Sequence, residues 1–224
     1  MEERVRQLFR VLFEHYGPQK WWPGKSRLEI IVGAILTQNT AWKNVERAIE
    51  NLRNAGFLPS SDDEDALYYA RKFLRAGEEV IRELIKPAGF FNQKSRYLLN
   101  FMEFFVEAGG FEGLERLDTD TLRKRLLSLR GIGHETADSI LLYAFGKPIF
   151  VVDAYTRRVF LRHGLPANGY EEVRLLVENS FRDKEEGERV KIFNEFHALL
   201  VRVGKDYCKK KNPLCARCPL STLL

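Results

Sequence analysis

The sequence lacks a hydrophobic run long enough to cross a membrane. Its longest strongly apolar stretch, Ile30 to Leu36, falls far short of the roughly 20 residues that a transmembrane helix needs. The layout of a signal peptide is missing as well, because charged residues begin at Glu2. We therefore expect no membrane partner and a cytoplasmic location.

Cysteine is scarce. The chain has 3 cysteines, and all of them lie in the segment 208–218. An odd number of cysteines gathered near one end does not make a disulfide framework. A metal site and reduced thiols are the interpretations that remain.

Strands with alternating polar and apolar residues are missing too, and so are repeats, long linkers and low-complexity tracts. Apolar residues instead recur at helical spacing, as in Val5, Leu8 and Leu12. The segment from Leu28 to Leu36 is apolar on nearly every side, which is typical of a buried central helix. These patterns predict an all-α fold of roughly ten helices with short loops.

Positive charge is in excess. Lysine and arginine number 36 against 31 acidic residues, which gives a formal net charge of +5. A basic protein attracts polyanions such as nucleic acids, although charge alone does not specify the partner. The length of 224 residues, 45% of them hydrophobic, is sufficient for a globular protein with a real core.

Two glycines mark a tight reversal between two helical stretches, in residues 129–137. Glycine permits the unusual dihedral angles and the close backbone approach of such a turn. The second helix begins at the turn, so its N–H groups and positive dipole end suit a DNA phosphate. An ordinary helical hairpin remains the alternative. The residues predicted to bind DNA there are Gly131, Ile132, Gly133, His134 and Thr136.

One carboxylate, Asp153, follows the apolar run Pro148 to Val152 and precedes a predicted helix that contains Arg157 and Arg158. From its position alone, this residue is an N-cap, because helix starts favour aspartate. A functional role for Asp153 needs support from the rest of the sequence.

That support comes from a family resemblance. Gly131-Ile132-Gly133, Thr136-Ala137 and Val152-Asp153 resemble the helix-hairpin-helix, Gly/Pro, Asp (HhH-GPD) motif of the endonuclease III superfamily of DNA glycosylases. Leu36-Thr37-Gln38-Asn39-Thr40 resembles the Gln-containing segment of that family. The stretch from Gly89 to Lys94 is similar to its Gly-aromatic-Asn-x-Lys sequence, and the C-terminal cysteines also fit. The resemblance covers nearly the whole chain.

The resemblance implies two helical lobes with a DNA-binding cleft between them. Residues 26–143 would form a six-helix barrel, with the helix-hairpin-helix at about 120–143. Residues 1–25 plus 144–224 would form a terminal lobe that carries Asp153 and the cysteines. The resemblance implies a monomeric enzyme whose partner is double-stranded DNA that contains a damaged base. In a prokaryote, such an enzyme would be associated with the nucleoid. Asp153 would be catalytic, and a monovalent cation would bind the hairpin. Gln38 would fill the gap left by the extruded base, with Asn39 as a further DNA contact.

The sequence departs from the family pattern at Glu135. Bifunctional members carry a lysine two residues after the second hairpin glycine, where this chain has Glu135. A lysine amine can attack C1′ and form a Schiff base that leads to strand cleavage, whereas a carboxylate cannot. The departure implies a monofunctional enzyme. Arg130, where many relatives have proline, is a lesser difference.

All 3 tryptophans fall in two places, Trp21-Trp22-Pro23 and Trp42. Packing is the ordinary use of tryptophan. The alternative is a pocket in which indole faces stack on an extruded base, and a cationic N3-alkylated adenine would suit such faces. Together with Glu135 and the Val-Val-Asp run, these residues resemble the 3-methyladenine glycosylase branch. The predicted base pocket comprises Trp21, Trp22, Pro23, Trp42 and Glu135.

The cysteines Cys208, Cys215 and Cys218 have the spacing C-x6-C-x2-C. The four-iron motif of the family continues with C-x5-C, where this chain has Leu224. Thiolates suit an iron–sulfur cluster or zinc. The resemblance implies a structural [4Fe-4S] cluster whose fourth ligand is open. The segment Lys209, Lys210 and Lys211 is predicted to contact DNA phosphates, with a solvated basic loop as the alternative.

Two other functions stay open. One is a bifunctional, endonuclease III-like glycosylase and AP lyase that acts on oxidised pyrimidines with a lysine from elsewhere in the chain. The other is a non-catalytic helix-hairpin-helix protein that only binds DNA. The presence of Asp153 argues against the second function.

Overall fold

The computed structural model describes residues 1–19 and 24–223. Trp21, Trp22 and Pro23 of the predicted base pocket, and Leu224, lie outside these residues. Within the described part, the chain is helical and has no strand, which confirms the all-α prediction. None of the helices found there is both long enough and apolar enough to span a membrane. The described α-helices are α1 (Glu2–Tyr16), α2 (Arg27–Leu36), α3 (Trp42–Asn54), α4 (Ala66–Leu84), α5 (Phe91–Glu107), α6 (Gly110–Glu115), α7 (Thr119–Leu127), α8 (His134–Ser139), α9 (Ala154–Arg162), α10 (Tyr170–Ser180) and α11 (Glu186–Asp206).

The chain divides into two compact units. One unit combines both ends of the chain, Met1–Trp21 and Gly146–Leu224, and the other is the continuous segment Trp22–Phe145. In the unit built from the ends, α1 packs against α10 and α11, and α9 packs against α11. Short 3₁₀ turns at Cys215–Arg217 and Ser221–Leu223 follow α11.

Phenylalanine rings form the core of the unit built from the ends. Phe9 of α1 meets the ring of Phe196 edge-on, with 5.5 Å between the ring centroids. Phe150, on the extended segment before α9, packs against both Phe193 and Phe196 of α11. Large buried rings stabilise a core strongly, and edge-to-face pairs add to that stabilisation. The extended segment that leads to Asp153 is therefore anchored by Phe150.

Helix α2 forms the centre of the other unit. Ser26 caps its N-terminus by accepting a hydrogen bond from the backbone N–H of Glu29. From Leu28 to Leu36 nearly every side chain is buried, which confirms the predicted central helix. Helix α2 contacts α3, α5 and a π-helical turn at Ile140–Ala144 that continues α8. It therefore supports both the segment that follows it and the second helix of the hairpin.

Candidate active site

Asp153 is the N-cap of α9 and is 92% buried, with a relative exposure of 8%. Its Oδ1 accepts a hydrogen bond of 2.7 Å from the backbone N–H of Thr156. The apolar residues Val151 and Val152 before it are buried, so they fix the chain on its approach to the helix. The capping role and a chemical role are compatible, because the cap uses one oxygen and leaves the other available.

The second oxygen of Asp153 faces a histidine. His197 Nε2, on α11, lies 3.6 Å from Asp153 Oδ2. Burial by itself raises the pKa of the Asp153 carboxyl. The electrostatic interaction with His197, together with the N–H of Thr156, outweighs burial and holds that pKa below its ordinary value. Asp153 is therefore a buried carboxylate that stays ionised at neutral pH.

The hairpin requires glycine at position 131 for two reasons. The φ angle of Gly131 is +96°, a conformation that L-residues with side chains rarely adopt. A Cβ atom at this position would also stand 2.1 Å from Cδ1 of Tyr97. Gly133 differs, because its φ is −92° and a Cβ there would meet no atom within 4 Å. Ile132, between the two glycines, is 5% exposed and anchors the turn.

A buried ion pair joins the two helices of the hairpin. Arg123 of α7 donates from Nε and Nη2 to the two carboxylate oxygens of Asp138 on α8, at 2.7 and 3.0 Å. The carboxylate is fully buried, and bidentate geometry of this kind fixes orientation as well as distance. The same guanidinium lies 3.2 Å from Nδ1 of the exposed His134. Both helices are thereby held against the turn.

Gln38 contacts the hairpin directly. Its side-chain N–H₂ group donates to the carbonyl of Gly131 at 2.9 Å and to Oγ1 of Thr136 at 3.0 Å. The structure therefore brings together three residues that were predicted to bind DNA. Asn39, next to Gln38, is exposed and has a φ of 51°, which asparagine tolerates better than most residues.

A buried lysine holds the segment that carries Gln38. Lys94, 2% exposed, donates from Nζ to the carbonyls of Leu36 and Ala88 and to Oγ1 of Thr40, at 2.7 to 2.9 Å. Burial lowers the pKa of Lys94 to about 8. The ammonium group thus ties the end of α2 to the start of α5 on either side of Gln38.

The other predicted site residues show no described contact that tests their predicted roles. Trp42 is the first residue of α3 and is half-buried, whereas Glu135 is exposed near the start of α8. Lys209, Lys210 and Lys211 are all exposed in the segment after α11. Their proposed contacts with a base or with phosphates stay predictions.

The three cysteines line one cavity together with Arg162, His163, Tyr207, Leu220 and Ser221. None of the three forms a disulfide, and Cys208 is buried whereas the other two are half-buried. Arg162 Nη1 lies 3.1 Å from Sγ of Cys208. Burial raises the pKa of the Cys218 thiol, and the neighbouring thiols of Cys208 and Cys215 raise it further. The sulfurs are therefore close enough to influence one another.

Sequence reasoning missed His197, the role of Lys94 and the ion pair between Arg123 and Asp138. His197 stands among the apolar residues of α11, and a histidine in such a stripe indicates a buried polar partner. The Arg123–Asp138 pair and the three acceptors of Lys94 gave no local signal, because they depend on contacts between segments distant in the chain.

Comparison with protein families identifies the superfamily of the chain. The model for "HhH-GPD superfamily base excision DNA repair protein" matches residues 32–183. A Methanocaldococcus jannaschii protein that is named as a DNA repair glycosylase is 45% identical over 97% of this chain and 94% of its own length. Endonuclease III of Sulfolobus acidocaldarius is 28% identical over 87% of this chain and 81% of its own.

Solved structures of similar fold include a DNA glycosylase with a bound base. The chain is similar to the Helicobacter pylori 3-methyladenine DNA glycosylase bound to 1,N6-ethenoadenine, with a TM-score of 0.77 and 29% identity. The alignment covers 91% of this chain and 96% of that one. A trapped covalent complex of endonuclease III with DNA shares the fold, with a TM-score of 0.75 at 18% identity over 100% of this chain and 95% of that one.

Proposed function

The chain belongs to the HhH-GPD superfamily and is a DNA repair glycosylase, and we propose that it releases N-alkylated purines of the 3-methyladenine type without cleaving the strand. Two observations carry this proposal: Asp153 is a buried carboxylate that stays ionised, and the sequence has Glu135 at the position of the nucleophilic lysine. The partner is double-stranded DNA with one damaged base. The 29% identity to a 3-methyladenine glycosylase over most of both chains supports the substrate class.

Asp153 would act on the sugar rather than on the base. As the bond between base and C1′ breaks, positive charge develops on the deoxyribose, and a nearby carboxylate stabilises that charge. The same carboxylate can hold a water and accept its proton as the water attacks C1′. His197 and the N–H of Thr156 keep Asp153 ionised and oriented for this role.

The absence of a lysine at position 135 restricts the substrate. Without an amine that attacks C1′, no covalent intermediate assists departure of the base. An N-alkylated purine carries a positive charge and leaves easily, so it suits this site. We propose that Trp21, Trp22, Pro23 and Trp42 stack on the extruded cationic base, with Glu135 close to it.

The rest of the proposed interface positions DNA without reading its sequence. The hairpin residues from Gly131 to Thr136 would bind one phosphate, and the exposed Lys209–Lys211 segment would bind others. Gln38 would exchange its bonds to Gly131 and Thr136 for contacts with the base opposite the gap. A [4Fe-4S] cluster on Cys208, Cys215 and Cys218 would keep the lysine segment in place and would take no part in base release.

The test is a comparison of products from matched duplexes. One duplex carries a single alkylated adenine, a second carries an oxidised pyrimidine, and a third carries a thymine mismatched with guanine. We expect release of the alkylated adenine alone, with strand breaks only after hot alkali. Strand cleavage without alkali, together with covalent trapping by borohydride, would show that another lysine forms an imine. Release of either uncharged base without release of alkylated adenine would contradict the substrate assignment.

A further inference from the structure

The cavity of the three cysteines contains a fourth residue with ligand chemistry, His163. This histidine is the C-cap of α9 and is 4% exposed. Its Nδ1 lies 2.7 Å from the backbone carbonyl of Val159. A carbonyl oxygen can only accept a hydrogen bond, so Nδ1 carries the proton and the lone pair of the neutral ring is on Nε2.

The Nε2 atom of His163 is buried and makes no hydrogen bond within the described residues. Buried polar atoms nearly always have a partner, and one left without a partner destabilises the fold. Histidines that bind metals commonly donate the other ring N–H to a backbone carbonyl, which directs the free nitrogen at the metal. His163 has this arrangement, and its ring lines the same cavity as Cys208, Cys215 and Cys218.

The donor set fits an iron–sulfur cluster better than a single ion. In residues 1–19 and 24–223, no group of three or more His, Cys, Asp or Glu side chains could hold one metal ion. A four-iron cluster is larger than an ion, and its ligands surround it rather than converge on one point. The shared cavity of the three thiols and their C-x6-C-x2-C spacing match that need. Leu224, at the position of the fourth cysteine of the motif, has no ligating side chain.

We propose that Nε2 of His163 is the fourth protein ligand of a [4Fe-4S] cluster held by Cys208, Cys215 and Cys218. On binding, the three thiols release their protons to solvent, and the imidazole coordinates iron through its lone pair without losing its remaining proton. The protein then supplies three negative charges to the cluster, where a four-cysteine site supplies four. Because replacement of thiolate by imidazole raises the reduction potential in Rieske centres, the potential here is higher than that of the same site with four cysteines.

The experiment uses the full chain, reconstituted anaerobically with iron and sulfide. Iron and sulfide per chain are measured first, and then the reduced cluster is examined by pulsed EPR in protein grown with nitrogen-15 histidine. We expect a full four-iron cluster and a nitrogen coupling from a directly bound histidine. A wild-type protein that takes up no iron, that prefers one zinc ion, or that shows no nitrogen coupling would overturn the proposal.

Two variants and one control make the assignment to His163 specific. In His163→Cys the cluster should form, the nitrogen coupling should disappear and the reduction potential should fall. In His163→Ala the cluster should lose iron to a chelator at least tenfold faster than in the wild type. The control His15→Gln removes an exposed histidine of α1 and should keep the wild-type coupling. Coupling that survives in His163→Cys, or a His163→Ala cluster as stable as the wild type, would refute the role of His163.

Discussion

His197 Nε2 lies 3.6 Å from Oδ2 of Asp153, and this pair links helices α9 and α11. Phe150 packs edge-on against the imidazole, with 6.5 Å between the ring centroids. The histidine is 5% exposed and the aspartate 8%, so each ring and carboxylate is held by its surroundings. The charge of the carboxylate therefore depends on a residue 44 positions later in the chain.

Replacement of Asp153 by asparagine should remove catalysis and leave the fold intact. The amide oxygen of Asp153→Asn can still accept from the N–H of Thr156, so the helix cap is retained. We expect base release under single-turnover conditions to fall by about 100-fold or more. DNA affinity should be unchanged or higher, because one negative charge beside the phosphates is removed. A rate within a few fold of wild type would exclude Asp153 as the catalytic residue.

Replacement of His197 by glutamine should change the pH profile of base release. The variant removes the positive charge that lowers the pKa of Asp153, whereas the burial that raises it remains. The acid limb of the profile should therefore move to higher pH, with a loss of rate several-fold larger at pH 6 than at pH 8. His15→Gln serves as the control. A profile of unchanged shape and uniformly lower rate would indicate a structural role only.

The free energy of unfolding should also depend on pH through the lowered pKa of Asp153. The pKa of Asp153 is lower in the folded protein than its ordinary value of 3.8, so on acidification the unfolded chain binds the proton first. The contribution of the pair to the free energy of unfolding is present above the ordinary pKa and is lost as the pH falls through the lowered pKa. Wild type and His197→Gln should thus differ most near neutral pH and converge in acid, as measured by urea denaturation.

The two hairpin glycines should respond differently to alanine. Gly131→Ala combines a positive φ with a clash against Tyr97, so we expect a loss of about 2 kcal/mol or more in the free energy of unfolding. Gly133→Ala has free space and an ordinary φ, and should keep the stability of the wild type. The affinity of Gly133→Ala for DNA should fall several-fold, and by the same factor for duplexes of unrelated sequence. An altered choice of damaged base with unchanged affinity would contradict a phosphate-binding role.

Loss of the buried ammonium of Lys94 should destabilise the protein. Lys94→Met removes a donor from the oxygens of Leu36, Thr40 and Ala88, and among the described residues only the carbonyl of Ala88 keeps another, from Oγ1 of Thr40. We expect this loss to cost about 2–4 kcal/mol. Lys72→Met is the matched control, because Lys72 is half-buried and bonds mainly to Gly56. Its cost should stay below about 1 kcal/mol. Equal losses in the two variants would show that the three bonds of Lys94 are not special.

Stability should also depend on pH through Lys94. Burial lowers its pKa from 10.5 to about 8, so between these values the unfolded chain binds more protons than the folded protein. Under that condition the free energy of unfolding rises with pH. The stability of the wild type relative to Lys94→Met should therefore increase from pH 8 to 10.5. A constant difference over this range would show that the lysine keeps its proton.

The sequence was sufficient to predict features that depend on neighbouring residues. The apolar segment Leu28–Leu36 predicted the central helix α2, and the Gly-x-Gly pattern predicted the turn in which Gly131 adopts a positive φ. Asp153 could be predicted as an N-cap, because the capping bond spans three residues. Each of these features follows from the local periodicity or from the conformational preference of one residue type.

Contacts between distant segments could not be predicted in this way. In the sequence, Lys94 does not differ from the other basic residues of α5. Its burial follows from its bonds to the carbonyls of Leu36 and Ala88, which only the fold brings near. His163 and the cysteines are 45 or more positions apart, and only the packing of α9 against α11 brings them to one cavity. Such pairings are properties of the folded chain rather than of any window of its sequence.

Helix α9 begins at the cap Asp153, and two of its arginines bond to one cysteine. Arg158 donates from Nε to the carbonyl of Cys208 at 2.6 Å, and Arg162 lies 3.1 Å from its sulfur. If this helix of nine residues opens cooperatively, its protected amides share one opening free energy. In that case the protection of the Thr156 amide, whose bond is to the Asp153 cap, reports how firmly the arginines hold Cys208. Oxidation of the Cys208 thiol would weaken its contact with Arg162, and α9 would then open more often at the end that Asp153 caps.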